Sequence, residues 1–317
     1  MQSEYEIVAH NKLKHIHFFL NKITYRTFHL HSDFELFCVM DGCGKINNRS
    51  SSLNIKSGDI ILINSNQAHE IDAGGAAVQA MILQFSNHFL RDYYPNIQSL
   101  NFKRSDICAL LPESERAALW QTITCAAAAY VNMEPFFELR CIAAVTRILL
   151  ALLHTIPYEI LSEKEYLQRK KLSQRMNRIS SYLEENYQIP VRLRDVAELE
   201  QITPTYLSHF FSENFGITFQ EYLNNIRFEH AVRLLESSSL SLSDIAMNSG
   251  FSELKYMTKM FEKRLGYKPS EFRRRAPAVI GANLSESDSG FLEHRYTVEE
   301  SKKILNAFAA QNKWSPR

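Results

Sequence analysis

Two seven-residue segments carry the side chains best suited to touch a polyanion. Thr205-Tyr206-Leu207-Ser208-His209-Phe210-Phe211 returns 50 residues later as Lys255-Tyr256-Met257-Thr258-Lys259-Met260-Phe261. In each copy the apolar residues stand at i, i+1, i+4 and i+5, which is one side of an α-helix. The opposite side carries Thr205, Ser208, His209 and Ser212 in the first copy, and Lys255, Thr258, Lys259 and Glu262 in the second. Hydroxyl, imidazole and ammonium groups on a displayed helix face can reach base edges, while flanking Lys and Arg approach phosphates. From Lys255 to Arg275 eight basic side chains stand against two acidic ones, Glu262 and Glu271. Within that run Lys263, Arg264 and Arg273 are expected at the DNA backbone. One polar helix would suit any solvated bundle; two in register beside a basic flank favour duplex DNA.

The elements that must position these faces are legible around them. The register continues from Gly216 to Gly266, Glu221 to Glu271 and Tyr222 to Phe272, whereas Val196-Ala197 maps to Ile245-Ala246 at an offset of 49. The second copy's turn therefore has one extra residue. Thr203-Pro204 suits an N-cap with proline in the first turn, and Ser252 is expected to cap the second helix likewise. Ala197 and Ala246 sit in short preceding helices (Leu193–Leu199 and Leu242–Asn248), where a small side chain lets another helix cross closely; this is helix-turn-helix grammar. Gly250 allows a left-handed turn, but Gln201 occupies the matching place, so the first turn is expected to be built differently.

Upstream the pattern changes. Five of the ten glycines (Gly42, Gly44, Gly58, Gly74, Gly75) lie among short β-like runs such as Leu36–Val39, Asp59–Ile63 and Val78–Phe85. Turn clusters separate those runs, which predicts a small antiparallel barrel over 10–105. Over 113–157 the period is helical, with Leu119, Ile123, Ala126 and Tyr130 on one stripe and Leu139, Ile142, Thr146, Leu149 and Leu153 on another. The second helix is apolar on a further face (Val145, Ile148, Leu152, Ile156), a surplus that suits a dimer contact. The charged stretch within 158–171 reads as a linker, 172–275 as a helical DNA-binding domain, and 276–317 as a tail without an assigned role. The expected fold class is α+β multidomain.

Composition sets the limits. At 317 residues and 36.7 kDa the chain exceeds what one core organises, and 45% hydrophobic with 22% charged residues describes a globular protein. The net charge of +1 favours no partner globally. The longest apolar stretch, Ala143 to Ile156, is interrupted by Arg147 and His154, and the N-terminus lacks a signal pattern, so no membrane association is expected. Five cysteines without a C-x-x-C pair suggest a reducing, cytoplasmic compartment. No nucleophile elbow or phosphate-cradling loop is present, and Gly42-x-Gly44 lacks a third glycine; no enzyme activity and no cofactor are expected.

Residues Ile179 to Arg275, with Ala231-x-x-Leu234-Leu235, Asp244-Ile245-Ala246, Ser249-Gly250-Phe251, Phe261-x4-Gly266 and Lys268-Pro269-Ser270-x-x-Phe272-Arg273, resemble the tandem helix-turn-helix domain of AraC-type transcription regulators. The resemblance implies two recognition helices, Pro204–Glu213 and Glu253–Lys263, in successive major grooves. It places Thr205, Ser208 and His209, then Leu254, Lys255, Thr258 and Lys259, toward the bases. Because the first set is mostly short and neutral, the second helix is expected to discriminate more. Double-stranded DNA, RNA polymerase and a second copy of the chain are the implied partners, and activation of a metabolic or transport operon the implied role.

A second resemblance covers the barrel. His29-x-His31-x3-Glu35-x6-Gly42, then Gly58-Asp59 and His69, resemble the two motifs of cupins, with Asn64, Asn66 and Ala73 where that family has proline, glycine and asparagine. In metal-binding cupins the three histidines and the glutamate hold a first-row ion. Barrels of this regulator class resemble metal cupins yet take organic effectors. Arg26, His29, His31, Glu35 and His69 are therefore expected to contact a small-molecule effector beside Phe28, Phe34 and Phe37, with no metal. The alternative is a metal-dependent cupin enzyme or metal sensor fused to a DNA-binding module.

Overall fold

A computed structural model describes residues 12–48, 51–275 and 292–311. In the N-terminal part, β1 (Ile16–Ile23), β2 (Tyr25–His29), β3 (Asp33–Asp41), β4 (Cys43–Asn48), β5 (Ser52–Lys56), β6 (Ile60–Ile63), β7 (His69–Asp72) and β8 (Val78–Ser86) form two antiparallel sheets. One sheet has the order β2-β7-β4-β5, and the other contains β1-β8-β3-β6. Period-2 alternation makes β3 the shared wall of two cores. Phe37 and Val39 point between the sheets with Ile46, Ile71 and Ile82, while Phe34, Leu36 and Cys38 point out toward the helices. Glu35 lies on the inward side of the same strand and is buried with Phe37.

After the short β9 (Leu100–Phe102), the expected helical hairpin is α1 (Glu113–Asn132) and α2 (Phe137–Thr155). Its buried stripe on α2 is Cys141, Val145, Ile148, Leu149 and Leu152, whereas Leu139 and Leu150 are 66% and 51% exposed. The face read as surplus is thus the inner one, because the sheet and α1 cover it first. β10 (Tyr158–Ile160) pairs with β9, and α3 (Glu163–Asn186) starts at a capping box between Ser162 and Glu165. The stretch 158–171, expected as a linker, is therefore a strand and the first turns of a helix; its charges are the solvated face of that helix.

The helical domain continues with α4 (Leu193–Leu199), α5 (Pro204–Asn214), α6 (Phe219–Ser237), α7 (Leu242–Asn248), α8 (Leu254–Leu265) and α9 (Pro269–Arg275). Part of the tail then returns to the barrel. β11 (Glu293–Arg295) pairs antiparallel with β1 at the sheet edge, and α10 (Val298–Gln311) packs on α1, where the Phe308 and Trp120 ring centroids are 5.4 Å apart. Residues 276–291 and 312–317 of the tail lie outside the described residues.

The barrel and the helical domain meet along β2. Phe28, Leu30 and Ala68 enter the apolar cluster of α3, α5 and α6, and Tyr25 joins the cluster of α6, α7 and α8. Ser173 Oγ donates to Asn66 Oδ1 at 2.8 Å, and the Thr27 amide donates to Glu229 Oε1 at 3.3 Å. Burial raises the Glu229 carboxyl to about 7, with Arg233 opposing and Glu184 adding to the rise.

Candidate DNA interface and histidine cluster

Both helix-turn-helix units bury most of the stripe expected and display the other, but the first aromatic of each stripe, Tyr206 and Tyr256, stays 51% and 49% exposed. Leu207, Phe210 and Phe211 in α5, and Met257 and Phe261 in α8, are buried. Thr205, Ser208, His209, Lys255 and Lys259 are exposed, with Leu254 and Thr258 half-buried beside them. Ala197 and Ala246 are fully buried where the short helices cross. Thr203 caps α5, its side chain accepting from the Tyr206 amide at 3.2 Å. In the second unit the cap position falls on Glu253, without a side-chain cap bond, so Ser252 does not play the role expected of it.

The two turns are the same turn at a constant offset of 49, so the extra residue of the second copy falls after Phe251, before the following helix, and not within the turn as expected. Ile202 N donates to Ala197 O and Phe251 N to Ala246 O, both at 2.9 Å, and Gln201 N and Gly250 N close the matching inner bonds to Glu198 O and Met247 O. Gln201 adopts φ 54° and Gly250 φ 81°. The expectation of a differently built first turn is thereby corrected: the hydrogen bonds hold Gln201 in the left-handed region that glycine enters freely.

The basic residues divide in two. Lys263 is 66% exposed, its Nζ 3.9 Å from Glu221. Arg264 turns inward instead. Its guanidinium stands 4.4 Å from the Tyr25 ring centroid, donates to Asn225 Oδ1 at 3.0 Å and lies 3.6 Å from Asp72. Arg273 donates to the Leu240 carbonyl at 2.7 Å, bracing α9 against the loop before α7. Arg264 thus belongs to the seam with the barrel, because helical periodicity carries it about a third of a turn off the displayed face.

Inside the barrel, alternation along the β2–β3 connection brings His29, His31 and Glu35 to one place, and β7 adds His69. All four are buried. Each imidazole has Nδ1 against a backbone carbonyl: His29 with Thr27 at 2.9 Å, His31 with Asp33 at 2.8 Å, and His69 with Gln67 at 3.0 Å. That arrangement turns every Nε2 inward. His31 Nε2 lies 3.0 Å from Glu35 Oε2, and His69 Nε2 lies 3.8 Å from Glu35 Oε1. Gln84 Nε2 donates to the same carboxylate at 2.9 Å. The Nε2 atoms of His29 and His69 have no hydrogen-bond partner, and the two rings are 4.0 Å apart.

The electrostatics suit a cation. Burial works against ionisation of Glu35, but the His31 hydrogen bond and the His31 and His69 charges hold its carboxyl at about 2. Burial lowers His69 to about 4 and drives His29 well below the usual imidazole range. Burial disfavours protonation of His29 and His69, and the carbonyls at Nδ1 orient the rings as second-sphere partners do. The donor atoms of His31, Glu35 and His69 lie within 4.8 Å of one another. These residues fit a first-row divalent ion of N/O preference, which would take the place of any proton on His31 Nε2.

Other residues expected beside an effector are elsewhere. Arg26 extends to Glu293 of the returning tail at 3.2 Å. Phe28 faces the helical domain and Phe34 the helical hairpin, leaving Phe37 inward. No motif or periodicity pointed to Glu293 of the tail as a partner of Arg26.

A two-sheet barrel carrying a buried histidine cluster, joined to paired helix-turn-helix units, defines a class of ligand-binding domain linked to a DNA-binding fold. Residues 19–135 match the AraC-like ligand binding domain and residues 196–275 a helix-turn-helix domain. The chain thus carries an AraC-like ligand binding domain followed by a helix-turn-helix domain. It is 38% identical over 96 residues to an uncharacterised helix-turn-helix-type transcriptional regulator of Escherichia coli, covering 30% of this chain and 34% of that one. It is 23% identical over 270 residues to another from Staphylococcus aureus, covering 85% of this chain and 34% of the relative. The chain thus spans about a third of the length of these curated relatives. Among solved structures, unsaturated fatty acid bound ToxT from Vibrio cholerae aligns at a TM-score of 0.44 and 15% identity, over 86% of this chain and 100% of that one. No described helix is long and apolar enough to cross a membrane.

Proposed function

We propose that the chain is a sequence-specific DNA-binding transcription regulator whose barrel senses a small ligand. The observation that supports this best is that both polar helix faces stay exposed while the barrel packs against α3, α6 and the inward side of α8. Lys255, Thr258 and Lys259 make α8 the more discriminating helix, since α5 offers short neutral groups and one imidazole. Lys259→Ala is expected to cost about 1–3 kcal/mol at the cognate site and to relax preference at one base position, measured by anisotropy against a substituted-site panel. An equal loss on every sequence would make Lys259 a phosphate anchor instead.

The chain acts as a homodimer through α2. Phe136, Leu139, Ala143, Thr146, Leu150 and Leu153 follow the 3-4 spacing of a two-stranded coiled-coil seam, and Phe136 is 73% exposed. Leu139→Glu with Leu150→Glu should convert a sedimenting dimer into monomer; an unchanged sedimentation coefficient removes this face from the interface. RNA polymerase contact and activation of a metabolic or transport operon belong to the same reading.

The ligand class that the histidine cluster favours is a first-row divalent ion, on the strength of the buried donor atoms of His31, Glu35 and His69 lying within 4.8 Å of one another and of the His29 Nε2 left without a hydrogen-bond partner beside them. The ion would supply a positive charge that links the β2–β3 connection, β3 and β7; the chain's own part is to hold the imidazoles of His31 and His69 and the Glu35 carboxylate in place, with the His29 ring beside them.

A further inference from the structure

The two displayed helices differ in charge, and the difference leaves one half of the proposed DNA site without anchors of its own. α8 carries Lys255, Lys259 and Lys263, whereas α5 (Pro204–Asn214) has no Lys or Arg and one carboxylate, Glu213. In α4 the one cation, Arg194, lies 3.7 Å from Glu198. Cations reach this unit from α3 instead. Lys171, Arg175 and Arg178 stand at i, i+4 and i+7, a single stripe of about 10 Å along that helix. The opposite side of α3 meets the N-terminal part of the chain, Ser173 donating to Asn66 at 2.8 Å and Arg169 to Asn101 at 2.6 Å, so the stripe is turned away from that contact and toward α4 and α5. Arg175 stands 5.8 Å from the ring centroid of Tyr206, which follows Thr205 in α5 and stays half-exposed. Arg178 is 56% exposed. Glu200 accepts from Arg178 at 2.7 and 2.8 Å and from Arg175 at 3.1 Å, but it is one carboxylate beside three cations.

We propose that this stripe of α3 is the phosphate-binding surface for the first helix-turn-helix: when α5 meets a major groove, Lys171, Arg175 and Arg178 lie against the DNA backbone that flanks it. The inference rests on the DNA reading above and extends it to a helix outside both helix-turn-helix units. Phosphate contacts fix register and orientation without reading bases, which is what the short neutral groups of α5 lack. Glu200 sets the arginine heads in place and takes only part of each donor fork, leaving N–H groups for phosphate oxygens. Each strand of a duplex carries one phosphate per about 3.4 Å of axis, so the stripe spans about three of them.

The test uses the full chain and a duplex that it selects from a random-sequence library, and reads affinity by anisotropy over a salt series together with phosphate-ethylation interference. Lys171→Ala and Arg178→Ala are each expected to reduce the log-log slope by about one for each bound chain, and to abolish interference at phosphates beside the α5 half of the site. Lys170→Ala removes the same charge about 100° around α3 and should leave the slope as it is. Glu200→Gln weakens the bracing bridges yet keeps every cation, so a slope loss equal to that of Arg178→Ala would make the arginines braces alone and overturn the proposal. Equal shallowing by Lys170→Ala and Lys171→Ala would overturn it too, because diffuse charge then explains the effect. A steep slope unaltered by both Lys171→Ala and Arg178→Ala removes α3 from the DNA and leaves the DNA reading standing. Absence of salt-dependent duplex binding by the unaltered chain removes that reading and this inference with it.

Discussion

Gly250→Ala is expected to destabilise the helical domain by about 3–5 kcal/mol, while Gln201→Gly, its counterpart in the other repeat, is expected to gain about 0.5–1 kcal/mol. Both residues occupy the left-handed turn between the paired helices, at φ 81° and 54°. A side chain at Gly250 pays the left-handed conformational cost and also collides: its Cβ would fall 2.1 Å from the Tyr187 carbonyl oxygen and 2.9 Å from Arg227 Nε. Those two atoms hydrogen-bond to each other at 2.9 Å, tying the end of α3 to α6. Relief would require the second helix-turn-helix to lift from that junction. At Gln201 the backbone strain is present without a comparable gain, so removing the side chain relaxes it, less the entropy glycine loses on folding. Urea unfolding of the three proteins checks both signs; a Gly250→Ala loss below about 1 kcal/mol would show that the junction yields easily.

DNA affinity should fall by about a thousandfold between about 50 and 200 mM salt if a dimer places about six phosphates against its basic side chains. The residues placed to do so are Lys255, Lys259, Lys263, Lys268 and Arg274, all exposed on or beside α8 and α9. Lys263→Ala is expected to reduce the log-log slope by about one for each bound chain. Arg264→Ala, one residue along, should leave the slope unchanged and instead loosen the barrel against the helical domain, because its guanidinium is committed to Asn225, Asp72 and the Tyr25 ring. Equal shallowing by the two variants would place Arg264 on the DNA and contradict its inward orientation. Steering by the remaining lysines persists in either variant, so the comparison rests on slope rather than on affinity alone.

Periodicity within one helix made the α5 and α8 faces legible, since a 3.6-residue repeat sorts core from surface without knowledge of neighbours. On β3 alternation separates Glu35 and Phe37 from Phe34 and Leu36, which corrects the expectation that Phe34 and Phe37 stand together at the effector. The resemblance to the cupin motifs pointed to the four residues that converge in the barrel. What sequence periodicity could not decide was which partner each face would meet. On α2 two faces were apolar, and only packing on the sheet and α1 decided that Val145 and Ile148 went inside while Leu139 and Leu150 stayed out.

The amino-acid sequence by itself determined the repeated units and the cap at Thr203, because each follows from contacts within a few residues, while the resemblance to cupins pointed to the inward histidines. Only the tertiary structure decided that Phe28 and Leu30 dock the helical domain, that Arg264 is withdrawn from the basic face, that Gln201 is held left-handed, and that Glu293 returns to meet Arg26. Apart from Gln201, whose turn is closed by local hydrogen bonds, those outcomes depend on groups 39 to 267 residues apart in the chain, whose meeting is set by how whole elements pack and leaves no local pattern to read.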